Sequence, residues 1–205
     1  MIIKIVSGGQ TGADRAGLDI AIKLEIPHGG WCPRGRMAED GTIPEEYLLR
    51  CPTDDDSDVR ELNIYNERTK LNIRDSDGTL IFVPSWPLPE NITDGTNLTI
   101  HEAEKRSKPH FIADLSKDQS FYLVADWINE NRIETLNIAG PRESQCSGMY
   151  ADTFSFLQNF FQYMAEKKIT LGNDTNHSPT FFNEKSQNNL QSSTAPFSFK
   201  TCTML

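Results

Sequence analysis

Long apolar runs are missing from this chain, and so is any excess of positive charge. No stretch approaches the roughly 20 residues that a membrane-spanning helix needs. The start, MIIKIVSGGQ, lacks the apolar core of a secretory leader. Together these absences suggest an intracellular, cytoplasmic protein. Among 205 residues there are 20 Lys and Arg against 29 Asp and Glu, a net charge of −9. That balance argues against a nucleic-acid partner held by overall charge. It leaves room for a small anion in a locally positive pocket. Cysteine is scarce: Cys32, Cys51, Cys146 and Cys202 show no C-x-x-C spacing, and free thiols are expected rather than a disulfide framework. The four histidines, His28, His101, His110 and His177, lack the short spacing of a zinc site. No metal ligand set is expected, although magnesium could enter through a ligand's phosphate.

What the chain has is alternation. Residues 2–7 read as a strand, and Ala13–Leu24 as a helix with Ala16, Ile20 and Leu24 on one face. The glycine- and proline-rich stretch PHGGWCPRGRMAEDGTIPEEY looks too irregular for either element. Helices are expected over 58–72, Thr96–Ser107, Phe121–Asn131 and Tyr150–Lys168, and strands over 78–83, 110–114 and 135–140. Apolar strands alternating with helices predict an α/β domain, a mainly parallel sheet with helices on both faces, over residues 1–170. In residues 172–205, 17 of 34 are Asn, Ser, Thr or Gln and the charges cancel. Residues 171–205 therefore read as a polar, disordered tail.

Ligands of such sheets sit beyond the carboxyl ends of the strands. The first strand runs into SGGQTGADRAGLD, where Gly8, Gly9, Gln10, Thr11 and Gly12 precede a helix. Bare N–H groups and a helix N-terminus suit an anion there, while an ordinary tight turn with a cap explains the same residues. In GGWCPRGRMAEDG, Arg34 and Arg36 offer guanidinium forks for phosphate or are simply solvated. Trp31 either stacks on a flat ring or packs inside. Cys32 has no histidine placed to activate it. In DGTNLTIHEAEK, Gly95 and Thr96 open a helix, and Thr99 and Glu102 share a face. Glu102 could meet a ribose or act as a base, whereas His101 lies off that face. Arg74 and Asp75 precede a strand and read as a turn. AGPRES puts Gly140, Arg142, Glu143 and Ser144 at the same sheet edge as Gly8 and Gly9.

Taken in order, GGQTGADRAGLD, GWCPRGRMAEDGTIPEEYLL, NIRDSDGTLI, DGTNLTIHEA and LNIAGPRES resemble the molybdenum-carrier family. That family is also described as the circularly permuted branch of the SLOG superfamily, beside the LOG and DNA-processing-A proteins. The resemblance covers residues 2–168. It implies a Rossmann-like domain that binds a nucleotide-like phosphate, with molybdenum cofactor, a pterin phosphate, as the named candidate. It also implies that Gly8 to Gly12, Arg15, Arg34, Arg36, Gly95, Thr96, Thr99, Gly140, Arg142 and Ser144 line the ligand site. The LOG enzymes cleave nucleoside monophosphates through a Gly-Gly-x-Gly-Thr-x-x-Glu loop. Here Asp94 stands where glycine belongs, and Glu102 follows Thr96 by six positions instead of three. Three functions compete: a binding or carrier protein, a phosphoribohydrolase-like enzyme using Glu102 or Glu143, and a ligand-sensing module. No carboxylate among Glu102, Glu143, Asp14 and Asp75 has a partner that spacing alone can assign.

Two expectations concern assembly. Phe154, Phe160, Phe161 and Tyr163 point at too many angles for a single stripe, which predicts self-association into at least a dimer. The ending KTCTML places Cys202 in a Cys-x-x-Leu pattern read by geranylgeranyl transferases. Thr203 is not aliphatic and basic residues are sparse, so membrane contact is expected only if Cys202 is prenylated in a eukaryotic cell.

Overall fold

The computed structural model describes residues 2–53, 64–92, 95–117 and 121–173, with the side chains of 64–65 and 168–173 outside that description. The elements follow in chain order: β1 Lys4–Ser7, α1 Ala13–Lys23, β2 His28–Gly29, β3 Met37–Ala38, β4 Gly41–Thr42, a 3-10 turn Glu45–Tyr47, and α2 Ile64–Arg74. Next are β5 Gly78–Val83, α3 Gly95–Lys105, β6 His110–Asp114, α4 Phe121–Glu130, β7 Thr135–Ala139 and α5 Met149–Asn173. Among the described residues, five strands form a sheet in the order β2-β1-β7-β5-β6, and every pairing in it is parallel. This is a Rossmann-like α/β arrangement.

The strands read as apolar runs because the sheet is covered on both faces. All six residues of β5 are buried. Its Leu80 and Phe82 join β1, β7, α1, α4 and α5 in the main core. On the opposite side α2 packs along α3. Leu157 and Phe160 of α5 are fully buried, and each such side chain contributes about 2 kcal/mol of apolar burial.

The stretch read as irregular is ordered after all. β2 extends the sheet beside β1, with Ile5 opposite His28 and Val6 opposite Gly29. β3 and β4 form a separate antiparallel pair. Two-residue strands carry no period, so no pattern could announce them. This arm covers a second small core of Leu18, Cys32, Ala38, Ile43, Tyr47 and Leu49.

The aromatic surplus of α5 is taken up within the chain. Phe121 of α4 packs against Phe160 and Tyr163, with ring centroids 6.3 and 6.0 Å away, and Phe161 meets Phe160 at 5.4 Å. Phe154 stacks with Tyr150 beneath the Lys23 ammonium. The extra angles on this helix thus face α1 and α4 as well as the sheet. α5 runs to Asn173, past the boundary expected at residue 170. The rest of the tail with Cys202, the expected helix start at 58–63, and Asp94 lie outside the described residues. Among the described residues no helix is long and apolar enough to cross a membrane.

Candidate functional site

β1 ends at Ser7, whose hydroxyl donates to the Ile138 carbonyl of β7 at 2.8 Å. The chain then turns through Gly8–Gly12 into α1. Gly12 has φ +74°, and a Cβ there would lie 2.4 Å from the Pro141 carbonyl oxygen. Only glycine combines that conformation with so close an approach. The β1–α1 loop is therefore packed against the β7–α5 loop, backbone to backbone. Gly8 serves another purpose. A Cβ there would fall 1.4 Å from Nη1 of Arg68, so the missing side chain is the space that guanidinium fills.

Arg68 comes from α2 and pairs with Asp14 of α1 at 2.7 Å, their side chains 14% and 7% exposed. Asp14 also accepts the Gln10 N–H at 3.3 Å. The first acidic residue of α1 thus answers the positive helix end itself. The pair forms one wall of a cleft at the carboxyl edge of the sheet. Gly8, Asn72, Asn137 and Gly140 line the cleft, and Gly95 and Thr99 bring the start of α3 to it. Its cavity of about 30 Å³ has room for one or two water molecules. The Nε of Arg68 is buried and has no hydrogen-bond partner among the described residues. A buried donor left without a partner costs free energy, and an incoming acceptor would recover it.

A second knot lies on the same edge. Glu39, on the β3–β4 arm, accepts from the hydroxyls of Thr11 and Ser144 and from the Ser144 N–H at 3.0 Å. Arg142 stands 3.6 Å away. Gln10 accepts the N–H groups of Thr11 and Glu39 at 3.0 Å each, and Thr11 accepts the Glu143 N–H at 3.1 Å. Burial alone would push the Glu39 carboxyl up. The hydrogen bonds from Ser144 and Thr11 and the Arg142 charge outweigh it and hold the group below its ordinary value. The arm is pinned by an anion that the chain supplies.

Of the residues expected at the ligand site, Gly95 lines this cleft, whereas Gly9, Thr11, Arg34, Thr96 and Arg142 are not part of its lining. Gly8, Thr99 and Gly140 from the wider set also line it. Gly9 faces Leu49 and Ile43. Thr11, Arg142 and Ser144 do meet, but around Glu39. Thr96 is buried, its hydroxyl without a partner among the described residues. Arg15 bonds to Asp40 and the Gly9 carbonyl and lies over Tyr47. Arg34 makes a two-pronged contact with Glu67, both distances 3.1 Å, and reaches the Thr53 carbonyl. Arg36 ties together the carbonyls of Ile43, Pro44 and Leu49. Three of the expected phosphate forks therefore hold the chain's own loops. Trp31 is packed: its indole N–H donates to Asp75 at 2.7 Å and Arg50 covers its ring at 4.1 Å.

The two carboxylates suspected of catalysis are engaged too. Glu102 accepts from Arg106 at 2.6 Å. Glu143 caps α5, accepting the N–H groups of Gly148 at 2.5 Å and Tyr150 at 2.9 Å. Arg68, Asn72, Asn137 and Glu39 were missed. Arg68 and Asn72 are polar residues of a helix, Glu39 lies on an irregular arm and Asn137 inside a buried strand, and only the long-range packing shows which way each faces. Among the described residues no group of three or more His, Cys, Asp or Glu could hold a metal ion.

The model of the Circularly permutated YpsA SLOG family matches residues 5–161, a span that takes in the sheet except for the first residue of β1. A crystal structure from Syntrophus aciditrophicus SB, named "Putative molybdenum carrier protein", is 44% identical with a TM-score of 0.66, and the match covers 78% of this chain and 94% of that one. No curated protein matches the chain.

Proposed function

The chain belongs to the circularly permuted YpsA SLOG family, and on that premise we propose that it binds and carries a phosphorylated, nucleotide-like small molecule in the cleft between Gly8, Gly95 and Gly140. The observation that carries this reading is the Arg68 guanidinium. It lies in the space a side chain at Gly8 would take, with a buried Nε–H that has no partner among the described residues. The start of α3 on the facing wall adds the positive end of a helix dipole. A phosphate oxygen entering there, where one or two waters fit, would accept from Arg68 and face Gly95. The molecule's flat portion would leave the cleft at the carboxyl edge, beneath the arm that Glu39 pins.

The name of the Syntrophus aciditrophicus relative makes a molybdenum-containing pterin phosphate the first ligand to try. Nucleoside monophosphates come next, and magnesium would accompany either through the phosphate alone. Binding is favoured over hydrolysis because Asp14 in the cleft wall is paired with Arg68, and Glu102 and Glu143 are already occupied by Arg106 and by the start of α5.

Calorimetry with these ligands tests the proposal. Arg68→Met should weaken binding about tenfold or more, the value of a charge-assisted hydrogen bond. Arg142→Ala, outside the cleft, should change it less. No heat with any phosphorylated ligand up to millimolar concentration would sink the reading. Release of free base from a nucleoside monophosphate would replace it with the hydrolase.

A further inference from the structure

We propose that Cys32 and Cys51 form a redox-active dithiol that closes to a disulfide when a hydroperoxide reaches Cys51. The two sulfurs lie 3.7 Å apart. Their backbones are already joined: Cys32 N–H donates to the Arg50 carbonyl at 2.9 Å, Arg50 N–H to the Gly30 carbonyl at 2.9 Å, and Trp31 pairs with Arg50 as a parallel bridge. A disulfide needs an S–S distance of about 2.05 Å. With the backbones held side by side, rotation of the two side chains supplies most of that approach.

The two thiols are unequal. Cys32 is fully buried in the small core with Leu18, Ile43 and Leu49. Cys51 is half-buried at the margin of that core, its thiol 3.5 Å from the Pro33 carbonyl. Burial, the Cys51 hydrogen bond and the Cys51 charge push the Cys32 thiol up to about 12 against a lesser pull from Arg36. Cys32 therefore keeps its proton and acts second. Cys51 meets the oxidant first.

In the first step the Cys51 thiolate attacks the outer oxygen of the hydroperoxide. The O–O bond breaks, the alcohol or water leaves with a proton, and Cys51 becomes a sulfenic acid. In the second, the Cys32 sulfur attacks the Cys51 sulfur. The S–O bond breaks, and the departing hydroxide takes the Cys32 proton as water. Two thiols lose two electrons in all, and the peroxide gains them. The bond ties the segment carrying Trp31 and Arg34 to the one carrying Arg50 and Thr53. It also constrains the unfolded chain, so the oxidised protein should melt higher.

The test uses the full chain with Cys146→Ser and Cys202→Ser, so that only this pair remains. Mild hydrogen peroxide should make the protein two hydrogens lighter, link the Cys32 and Cys51 peptides without reductant, and revert with dithiothreitol. With Cys32→Ser added, Cys51 should instead stop one oxygen heavier and react with dimedone. Phenylarsine oxide, which needs two adjacent thiols, should bind the reduced pair in equal proportion and block the oxidation. That assay stands even if Cys32→Ser does not fold. Progress of Cys51 to sulfinic acid while Cys32 stays a free thiol, or failure of the arsenical to bind, would overturn the proposal.

Discussion

Replacing Asn72 by leucine should destabilise the protein by about 3 kcal/mol, and the reason lies in one side chain doing the work of a strand. β2 ends at Gly29, so the chain leaves the sheet edge with the N–H and C=O of Trp31 buried and unmatched by any strand. Asn72 of α2, 3% exposed, supplies both partners: its Oδ1 accepts from Trp31 N–H and its Nδ2 donates to Trp31 C=O, each at 2.9 Å. Leucine keeps the branched skeleton, though it is bulkier, and leaves two backbone groups unpaired, at about 1–3 kcal/mol apiece. The apolar contacts it gains offset part of that. In a domain of this size the net loss corresponds to a fall of roughly 6–12 °C in Tm. Urea unfolding followed by tryptophan fluorescence measures it, since release of Trp31 also frees its indole from Asp75 and Arg50. Asn72→Asp is the matching control: it keeps an acceptor for the N–H but presents a second acceptor to the carbonyl, and should do no better. A loss below about 1 kcal/mol with an unchanged denaturant slope would show that Asn72 is not what holds Trp31.

Glu39 gives a pH signature. Its carboxyl is held below its ordinary value, so its contribution is present above the unfolded-state pKa and is lost as pH falls through the folded one. Hydrogen exchange across residues 36–44 should therefore accelerate as pH drops below about 4, after correction for the intrinsic rate. A Glu39→Gln protein should exchange faster at every pH without that step, and a matching step in both proteins would refute the role. Gly8→Ala would place a Cβ 1.4 Å from Arg68 Nη1 and 2.6 Å from Asp14 Oδ2. The flexible guanidinium should swing away, so the thermal midpoint should fall less than in Asn72→Leu while calorimetric binding of the phosphorylated ligand is lost. Undiminished binding would show that Arg68 need not sit above Gly8.

The four longer strands of the sheet were legible because cover on both faces leaves a mostly apolar run between turn residues. β5 and β6 begin and end where the sequence says. α1 was legible from its buried face. The arm was not, since strands of two residues have no period. The candidate cleft was legible as a place and not as a set of contacts. Strand-end reasoning led to Gly8, Gly95, Thr99 and Gly140, since topology alone brings those loops to one edge. It gave no sign that Arg34 pairs with Glu67, 33 positions later, a partner no local spacing reveals. It passed over Arg68 for the converse reason: nothing along α2 tells which of its polar residues faces inward, and the space left by Gly8 becomes visible only in three dimensions.

The position of β7 has a consequence for how the chain is made. It is the last strand of the sheet in sequence, yet it lies at the centre, between β1 and β5. A growing chain can pair β1 with β2, and later β5 with β6, but the two pairs share no hydrogen bond until residues 135–139 arrive to bridge them. At about 5–20 residues per second, roughly one to five seconds of synthesis separate the end of β6 from the end of β7, with two half-sheets side by side, each offering an open edge. Ribosomes stalled before Thr135 would display strands ready to pair with those of neighbouring copies. Emergence of β7 is thus the moment at which the two facing inner edges close on a common strand.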